Sequence, residues 1–291
     1  MATTRERYRP SGFFRAKALL LFVAATAAGV ALAWIYQFLL REIPFIYINL
    51  LVVCGFGAAL AAGAWFAVQK GHCRNRVIAL LLALPLAAVP LAASHWFEYR
   101  HVISAIVEKT PGASEADALR EIPFGKYLEI KKQAGWKLES STISGAAVTA
   151  IWIVEALIVF GAVLFGALAG VDEPYCEKCN RWCEAVAFRL HGVGRAEAEP
   201  VLSGGDLGAL ADLKAPTPPD PSLSVEIQIK RCGGCAETGF VSVSEKRMVQ
   251  KKKKVEEKSK RLARHALLRP AERQRLLDRF SGLAGQKLPA A

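Results

Sequence analysis

The chain of 291 residues is 53% hydrophobic and carries a formal net charge of +12 at pH 7. Nearly all of its long apolar runs lie between residues 16 and 170, whereas residues 171–291 are polar and basic. This uneven distribution excludes a uniformly soluble chain and predicts a membrane part, residues 16–170, followed by a soluble part. A short basic segment, residues 1–15, precedes the membrane part.

Four apolar runs are each long enough to cross a bilayer, since about 20 helical residues cover about 30 Å of hydrocarbon. The runs are residues 18–40, 45–68, 77–97 and 146–170. Four such runs are not typical of the core helices of a soluble protein. The predicted fold class is therefore an α-helical membrane bundle of four transmembrane helices. The first run is longer than a signal-peptide core and is interpreted as an uncleaved anchor.

The Lys and Arg residues of the loops predict the orientation of the bundle. The segment through Lys17 has five basic residues and one acidic residue, and the loop 70–76 has three basic residues and no acidic one. The loop 98–141 has seven of each sign. Because basic short loops stay on the cytosolic side, both termini are predicted to be cytosolic and the loop 98–141 to face outward. The membrane is predicted to be a bacterial inner membrane.

The outward loop carries signals for two short helices. Ser114 and Asp117 have capping-box spacing before a helix that Pro123 would stop, and "FGKYLEIKKQAG" begins an amphipathic helix at Phe124. The favoured interpretation is a packed connector, and a binding role is the alternative.

A single carboxylate, Glu155, lies in the fourth apolar run. An ionised carboxylate in a bilayer is costly unless it is paired or faces water. One interpretation is a structural hydrogen bond to Asn49, Gln37 or Thr149. The other is a small transporter or channel in which Glu155, Asn49 and Gln37 form an intramembrane polar site. Transporters usually contain several intramembrane charges, which favours the structural interpretation.

Four of the seven cysteines form two C-x-x-C pairs, Cys176 with Cys179 and Cys232 with Cys235. Each pair can direct two thiolates at one metal ion, and two pairs complete a tetrahedral set. A cytosolic location supports this prediction, because disulfides rarely persist in a reducing compartment. Cys183 is a weaker candidate for a replacement ligand.

Alternating apolar residues predict short strands around both pairs, in "EAVAFRLHG" (184–192), "SVEIQIKR" (224–231) and "GFVSVSE" (239–245). With the two pairs, these strands resemble the zinc-ribbon class of domains with rubredoxin-like knuckles, over residues 174–245 of a domain predicted to comprise residues 171–245. The resemblance implies one structural zinc ion per chain. Iron in an electron-transfer site and a dithiol redox pair are the alternatives. The arrangement of membrane part and cysteines is also similar to that of uncharacterised bacterial membrane proteins.

Two features depart from the usual zinc-ribbon pattern. Asn180 and Ala236 follow the second cysteine of each pair, where Gly is common because the backbone is left-handed; Asn tolerates this conformation better than Ala. The pairs are separated by 52 residues, and the Gly- and Pro-rich insertion 196–222 is expected to loop out, with one short helix around Asp206.

Residues 246–291 are predicted to be a basic tail, helical or disordered. Between Lys246 and Arg279 there are fourteen basic and four acidic residues. Such a segment attracts phosphates, and Lys251, Lys252, Lys253 and Lys254 are candidate contacts to anionic lipid. Phe280 is the only aromatic residue of this segment, so specific nucleic-acid recognition is weakly supported.

Together these patterns predict a membrane protein with a cytosolic, β-rich zinc ribbon that acts as an interaction or assembly module. The partners expected are the lipid bilayer and a protein at the cytosolic face. An enzyme is not favoured, because the sequence contains no recognisable catalytic set, and sites made of cysteine alone are usually closed and structural.

Overall fold

A computed structural model describes residues 6–43, 46–112, 114–138, 141–216, 220–235, 237–251 and 254–281. The chain divides into two compact units. The helical unit comprises Ser11–Asp172, and the C-terminal unit comprises Glu173–Ala291 together with Met1–Pro10.

The helical unit contains six helices and one small hairpin among its described residues. In chain order these are α1 (Ala16–Glu42), α2 (Ile46–Gly71), α3 (Arg76–Lys109), α4 (Glu115–Glu121), α5 (Phe124–Ala134), β1 (Trp136–Leu138), β2 (Ser141–Ile143) and α6 (Ala146–Val171). Four of them, α1, α2, α3 and α6, are long and apolar enough to cross a membrane. The predicted four long apolar helices are confirmed.

Small residues allow the long helices to pack closely. A methyl group on Gly166 of α6 would lie 2.4 Å from the carbonyl oxygen of Ala61 in α2, so only Gly fits at that contact. Buried alanines such as Ala64, Ala83 and Ala167 line the same core. Packing of small residues is the usual source of helix association in a bilayer, where the hydrophobic effect between helices is absent.

Two short helices follow α3, as the sequence predicts. The hydroxyl of Ser114 accepts a hydrogen bond from the N–H of Asp117 and caps α4, which ends just before Pro123. Helix α5 packs through Tyr127 against Tyr99 of α3, with ring centroids 5.3 Å apart. Lys131 of α5 forms an ion pair with Glu98 of α3. These contacts fasten α5 to the bundle and favour the packed connector.

The C-terminal unit is built on an antiparallel sheet of four strands in the order β5-β6-β7-β8. A separate two-stranded hairpin, β3-β4, precedes it. In chain order, the described elements of the C-terminal unit are β3 (Tyr175–Cys176), β4 (Arg181–Trp182), β5 (Glu184–His191), α7 (Arg195–Ser203), a 3₁₀ helix (Leu207–Asp212), β6 (Leu223–Arg231), β7 (Gly239–Lys251), β8 (Lys254–Leu267) and α8 (Pro270–Ser281). The three strands expected from alternation are present as β5, β6 and the first half of β7.

The predicted looped-out insertion is wrong for its first half. Leu202 of α7, together with Leu207 and Leu210 of the 3₁₀ helix, is buried in the same core as Val225 and Ile227 of β6. Among the described residues of this unit, 18 apolar side chains are buried in its core. These helices cover one face of the sheet, because that face carries the apolar half of the alternating pattern.

The prediction of a helical or disordered tail from residue 246 is wrong for most of its described residues. Strands β7 and β8 pair across residues 246–251 and 254–259. The two strands are anchored in the core, where Val241 and Val243 pair with Ala266 and Ala263. The register shifts on both sides of Val243, and from Ser244 opposite Arg261 onward the charged residues pair one to one. A helix is present only at the end, where Phe280 of α8 stacks on Phe188 with ring centroids 5.0 Å apart.

The N-terminal segment adds to the free edge of β8. The N–H of Tyr8 donates to the carbonyl of His265, and the N–H of Leu267 donates to the carbonyl of Glu6. The ring of Tyr8 lies edge-on to Phe240, with ring centroids 5.3 Å apart. Residues 6–8 therefore extend the C-terminal sheet, which sequence patterns did not indicate.

Candidate metal centre

The first cysteine pair lies in the hairpin β3-β4. Tyr175 pairs with Trp182 and Cys176 pairs with Arg181, so the chain reverses over residues 177–180. Asn180 closes this turn with a left-handed φ of 52°. Asn adopts this conformation more readily than most residues, which is why it can occupy the usual glycine position.

The second cysteine pair lies between β6 and β7. The N–H of Gly234 donates a hydrogen bond of 3.3 Å to the sulfur of Cys232, and the N–H of Cys232 donates to the carbonyl of Thr238. A methyl group on Gly234 would lie 3.1 Å from the sulfur of Cys179, so the glycine leaves room for the facing pair. Ala236, the other residue expected to matter here, lies outside the described residues.

The structure brings the four predicted ligands together. The sulfurs of Cys176, Cys179, Cys232 and Cys235 all lie within 4.8 Å of one another, and those of Cys176 and Cys235 are 3.7 Å apart. A tetrahedral ion with metal–sulfur bonds of about 2.3 Å requires sulfurs about 3.8 Å apart. The four thiols are free rather than bonded in disulfides. The arrangement therefore fits a tetrahedral metal ion.

Backbone N–H groups stabilise the thiolate form of one of the four cysteines. The backbone N–H groups of Thr238 and Glu237 lower the pKa of Cys235 to about 6. Hydrogen bonds with the neighbouring sulfurs, first that of Cys232, raise the pKa of the Cys179 thiol. The ligands of a metal are thiolates, so Cys235 is the sulfur that the protein itself stabilises in the binding form.

Residues around the sulfurs link the two cysteine pairs. Lys178 of the first pair and Glu237, just after the second, form an ion pair of 2.7 Å. The hydroxyl of Thr238 lies 3.3 Å from the sulfur of Cys176. Such outer contacts orient metal ligands. Sequence reasoning missed Lys178, Glu237 and Thr238, although their position within three residues of a cysteine was a usable signal.

The remaining cysteine near the site does not join the set. Cys183 follows β4, and burial raises the pKa of its thiol to about 12. It is not among the residues whose ligand atoms cluster. Within the described part of the chain, the four-cysteine group is the only cluster of metal-binding residues found.

Comparison of the chain with protein-family models, curated proteins and solved structures finds no match.

The carboxylate of the fourth apolar run, Glu155, has a partner that sequence reasoning did not name. The hydroxyl of Tyr36 in α1 donates a hydrogen bond of 2.6 Å to Glu155 in α6. The ring of Tyr36 also stacks on Phe56 of α2, with centroids 4.3 Å apart. Tyr36 thus joins three helices. Sequence reasoning missed Tyr36 because a tyrosine within an apolar run is counted as part of that run. Nothing in the run indicates a partner for its hydroxyl.

The expected partners of Glu155 have other surroundings. The hydroxyl of Thr149 donates to the carbonyl of Gly145. The side-chain oxygen of Asn49 is buried without a hydrogen-bond partner among the described residues. No hydrogen bond from Gln37 to Glu155 is found in the described part of the chain. The bond to Tyr36 supports the structural interpretation of Glu155.

Replacing Tyr36 by phenylalanine is expected to lower the free energy of unfolding of the bundle by about 1 kcal/mol. The hydrogen bond to Glu155 is lost while the ring keeps its stacking on Phe56. Unfolding in mixed detergent micelles measures the change. Tyr47→Phe is the matched control, because Tyr47 is 84% exposed. Equal stability of both variants would show that the Tyr36 hydroxyl contributes nothing.

Two of the four lysines proposed as lipid contacts lie at the end of the paired strands β7 and β8. Lys251 ends β7 and lies opposite Lys254, which begins β8. Lys252 and Lys253 lie outside the described residues.

Proposed function

We propose that the chain is an integral membrane protein whose C-terminal unit is a cytosolic interaction or assembly module organised by one structural zinc ion. The observation that carries the proposal is the convergence of Cys176, Cys179, Cys232 and Cys235 from two turns onto one point. The two turns correspond to the knuckles of a zinc ribbon, here placed at one end of a larger sheet.

A structural role follows from the number of ligands. Four thiolates fill the tetrahedral shell of zinc and leave no position for a catalytic water or a substrate. Zinc is favoured over iron because zinc has no redox chemistry and is the usual ion of closed four-cysteine sites in a reducing compartment. Iron offers the same geometry and would make the purified protein red and reducible.

The orientation is supported by contacts inside each unit. In the helical unit, the N–H of Arg74 donates to the carbonyl of Phe13, so the basic segment before α1 meets the basic loop between α2 and α3. In the C-terminal unit, residues 6–8 pair with residues 265–267. These contacts, together with the excess of Lys and Arg in the short loops, are the support for a proposed cytosolic location of both termini.

A comparison of partners captured from cross-linked native membranes tests the proposed function. Wild-type protein is compared with the Cys232→Ser/Cys235→Ser variant and with Cys183→Ser. We expect specific partners with wild type and Cys183→Ser that are lost from the double variant. Deletion of residues 171–291 should lose the same partners. The same proteins in equal amounts from every variant would overturn the module interpretation.

A further inference from the structure

The outer half of the β7-β8 hairpin leaves the sheet as a two-stranded arm. Strand β6 pairs with β7 only as far as Leu223 and Arg247, whereas β7 and β8 remain paired up to Lys251 and Lys254. We define the arm as residues 248–251 and 254–257, and among the described residues no third strand pairs with it. Its base is held to the rest of the unit, since the N–H of Met248 donates to the carbonyl of Ser222 and Glu257 forms an ion pair with Arg189 of β5. A two-stranded hairpin alone is only marginally stable in water. The folding of the arm therefore does not account for the residues that it carries.

Like charges face each other across the arm. Lys251 lies directly opposite Lys254 within the arm. At its base Arg247 lies directly opposite Lys258 on the same face, and Arg247 also forms an ion pair of 3.4 Å with Glu245. Directly opposed like charges destabilise a strand pair. Between them lies one acidic residue, Glu256, 3.9 Å from Lys251. This face is therefore a cationic surface that an anion placed between the paired side chains would stabilise.

The opposite face of the arm is partly apolar. Met248 is 42% exposed and Val255 is 67% exposed. Met248 lies opposite Glu257, and Val255 lies opposite Gln250, so the two apolar side chains are diagonal neighbours on one face. An exposed apolar pair next to lysines is typical of a segment that enters the headgroup region of a membrane.

We propose that this arm docks on anionic phospholipid headgroups at the surface of the membrane that the long helices cross. A headgroup layer that the arm enters end-on fits both faces, since phosphates pair with the cations of one face while Met248 and Val255 of the opposite face enter the same layer. The chain also supplies its own anchor in four apolar helices, and basic segments attached to such anchors are attracted to anionic leaflets. Nucleic acid fits less well, because residues 246–261 contain no aromatic side chain for base stacking. The proposal does not depend on which metal the cysteines bind.

Hydrogen–deuterium exchange of the full chain in lipid nanodiscs tests the proposal. Discs of phosphatidylcholine alone are compared with discs that also contain phosphatidylglycerol. We expect the arm amides to exchange about tenfold more slowly in the anionic discs, and the difference to disappear at high salt. The variant Lys251→Glu/Lys254→Glu should lose the slowing. Lys126→Glu/Lys132→Glu, with the same change in net charge on α5, should keep it.

Three results would overturn the proposal. The first is equal exchange of the arm in both kinds of disc. The second is equal slowing in wild type and in the Lys251→Glu/Lys254→Glu variant. The third is that a single-stranded RNA, added to the protein in neutral discs, slows exchange of the arm amides more than anionic lipid does. That result would assign the arm to nucleic-acid binding. Unchanged exchange of β6 shows that each variant is folded.

Discussion

Replacement of Cys232 and Cys235 by serine is expected to remove one zinc ion per chain and to weaken metal binding by more than about a hundredfold. The variant removes two of four thiolates, including Cys235, whose pKa is lowered to about 6 by the backbone N–H groups of Thr238 and Glu237. Loss of an outer contact alone costs about 10- to 100-fold in affinity, so loss of two ligands costs more. Elemental analysis of the purified protein measures the effect.

The same variant is expected to loosen the two cysteine turns while the sheet stays folded. The sheet should stay folded without the metal, because 18 apolar residues of the described part of this unit are buried in its core. The cysteine turns themselves contribute little to that core. Faster hydrogen exchange at residues 175–183 and 232–238, with unchanged exchange in β6, is the expected result.

Cys183→Ser is the matched control for this experiment. Cys183 is half-buried beside the site but outside the group of four sulfurs, so its variant should retain the metal. Zinc retained by the Cys232→Ser/Cys235→Ser variant would contradict the ligand assignment. Iron in the wild-type protein would favour electron transfer, and a metal-free protein with oxidisable pairs would favour dithiol chemistry.

Replacement of Phe280 by alanine is expected to destabilise the C-terminal unit by about 3–5 kcal/mol. Phe280 is fully buried, stacks on Phe188 of β5 and fixes α8 to the sheet. The cavity cannot close easily, because the surrounding residues belong to a sheet and to two other helical segments. Urea unfolding of the full chain, followed by hydrogen exchange of β6, measures the change.

Gln274→Ala on the exposed face of the same helix is the control and should change the stability by less than about 0.5 kcal/mol. A similar small effect of Phe280→Ala would mean that α8 is not part of the folded unit. The Phe280→Ala variant should still bind its metal ion at low urea. That outcome would separate the stability of the sheet from that of the cysteine turns.

The sequence alone determined the features that depend on local patterns. Four apolar runs are visible without any knowledge of packing, because crossing a bilayer requires a continuous apolar length. The cysteine ligands are visible because C-x-x-C spacing is itself the geometry of a metal-binding turn. The strands β5 and β6 are visible because one buried face imposes a period of two on residues such as Val225, Ile227 and Ile229.

Only the tertiary structure decided the features that depend on a partner distant in sequence. Strand β8 has no apolar period of its own along most of its length, and it is a strand because β7 supplies its hydrogen bonds. The pairing of Tyr8 with His265 and the bond from Tyr36 to Glu155 each join residues more than a hundred positions apart. Such contacts leave no local signal, because the residue pattern within one segment carries no information about the distant segment that it meets.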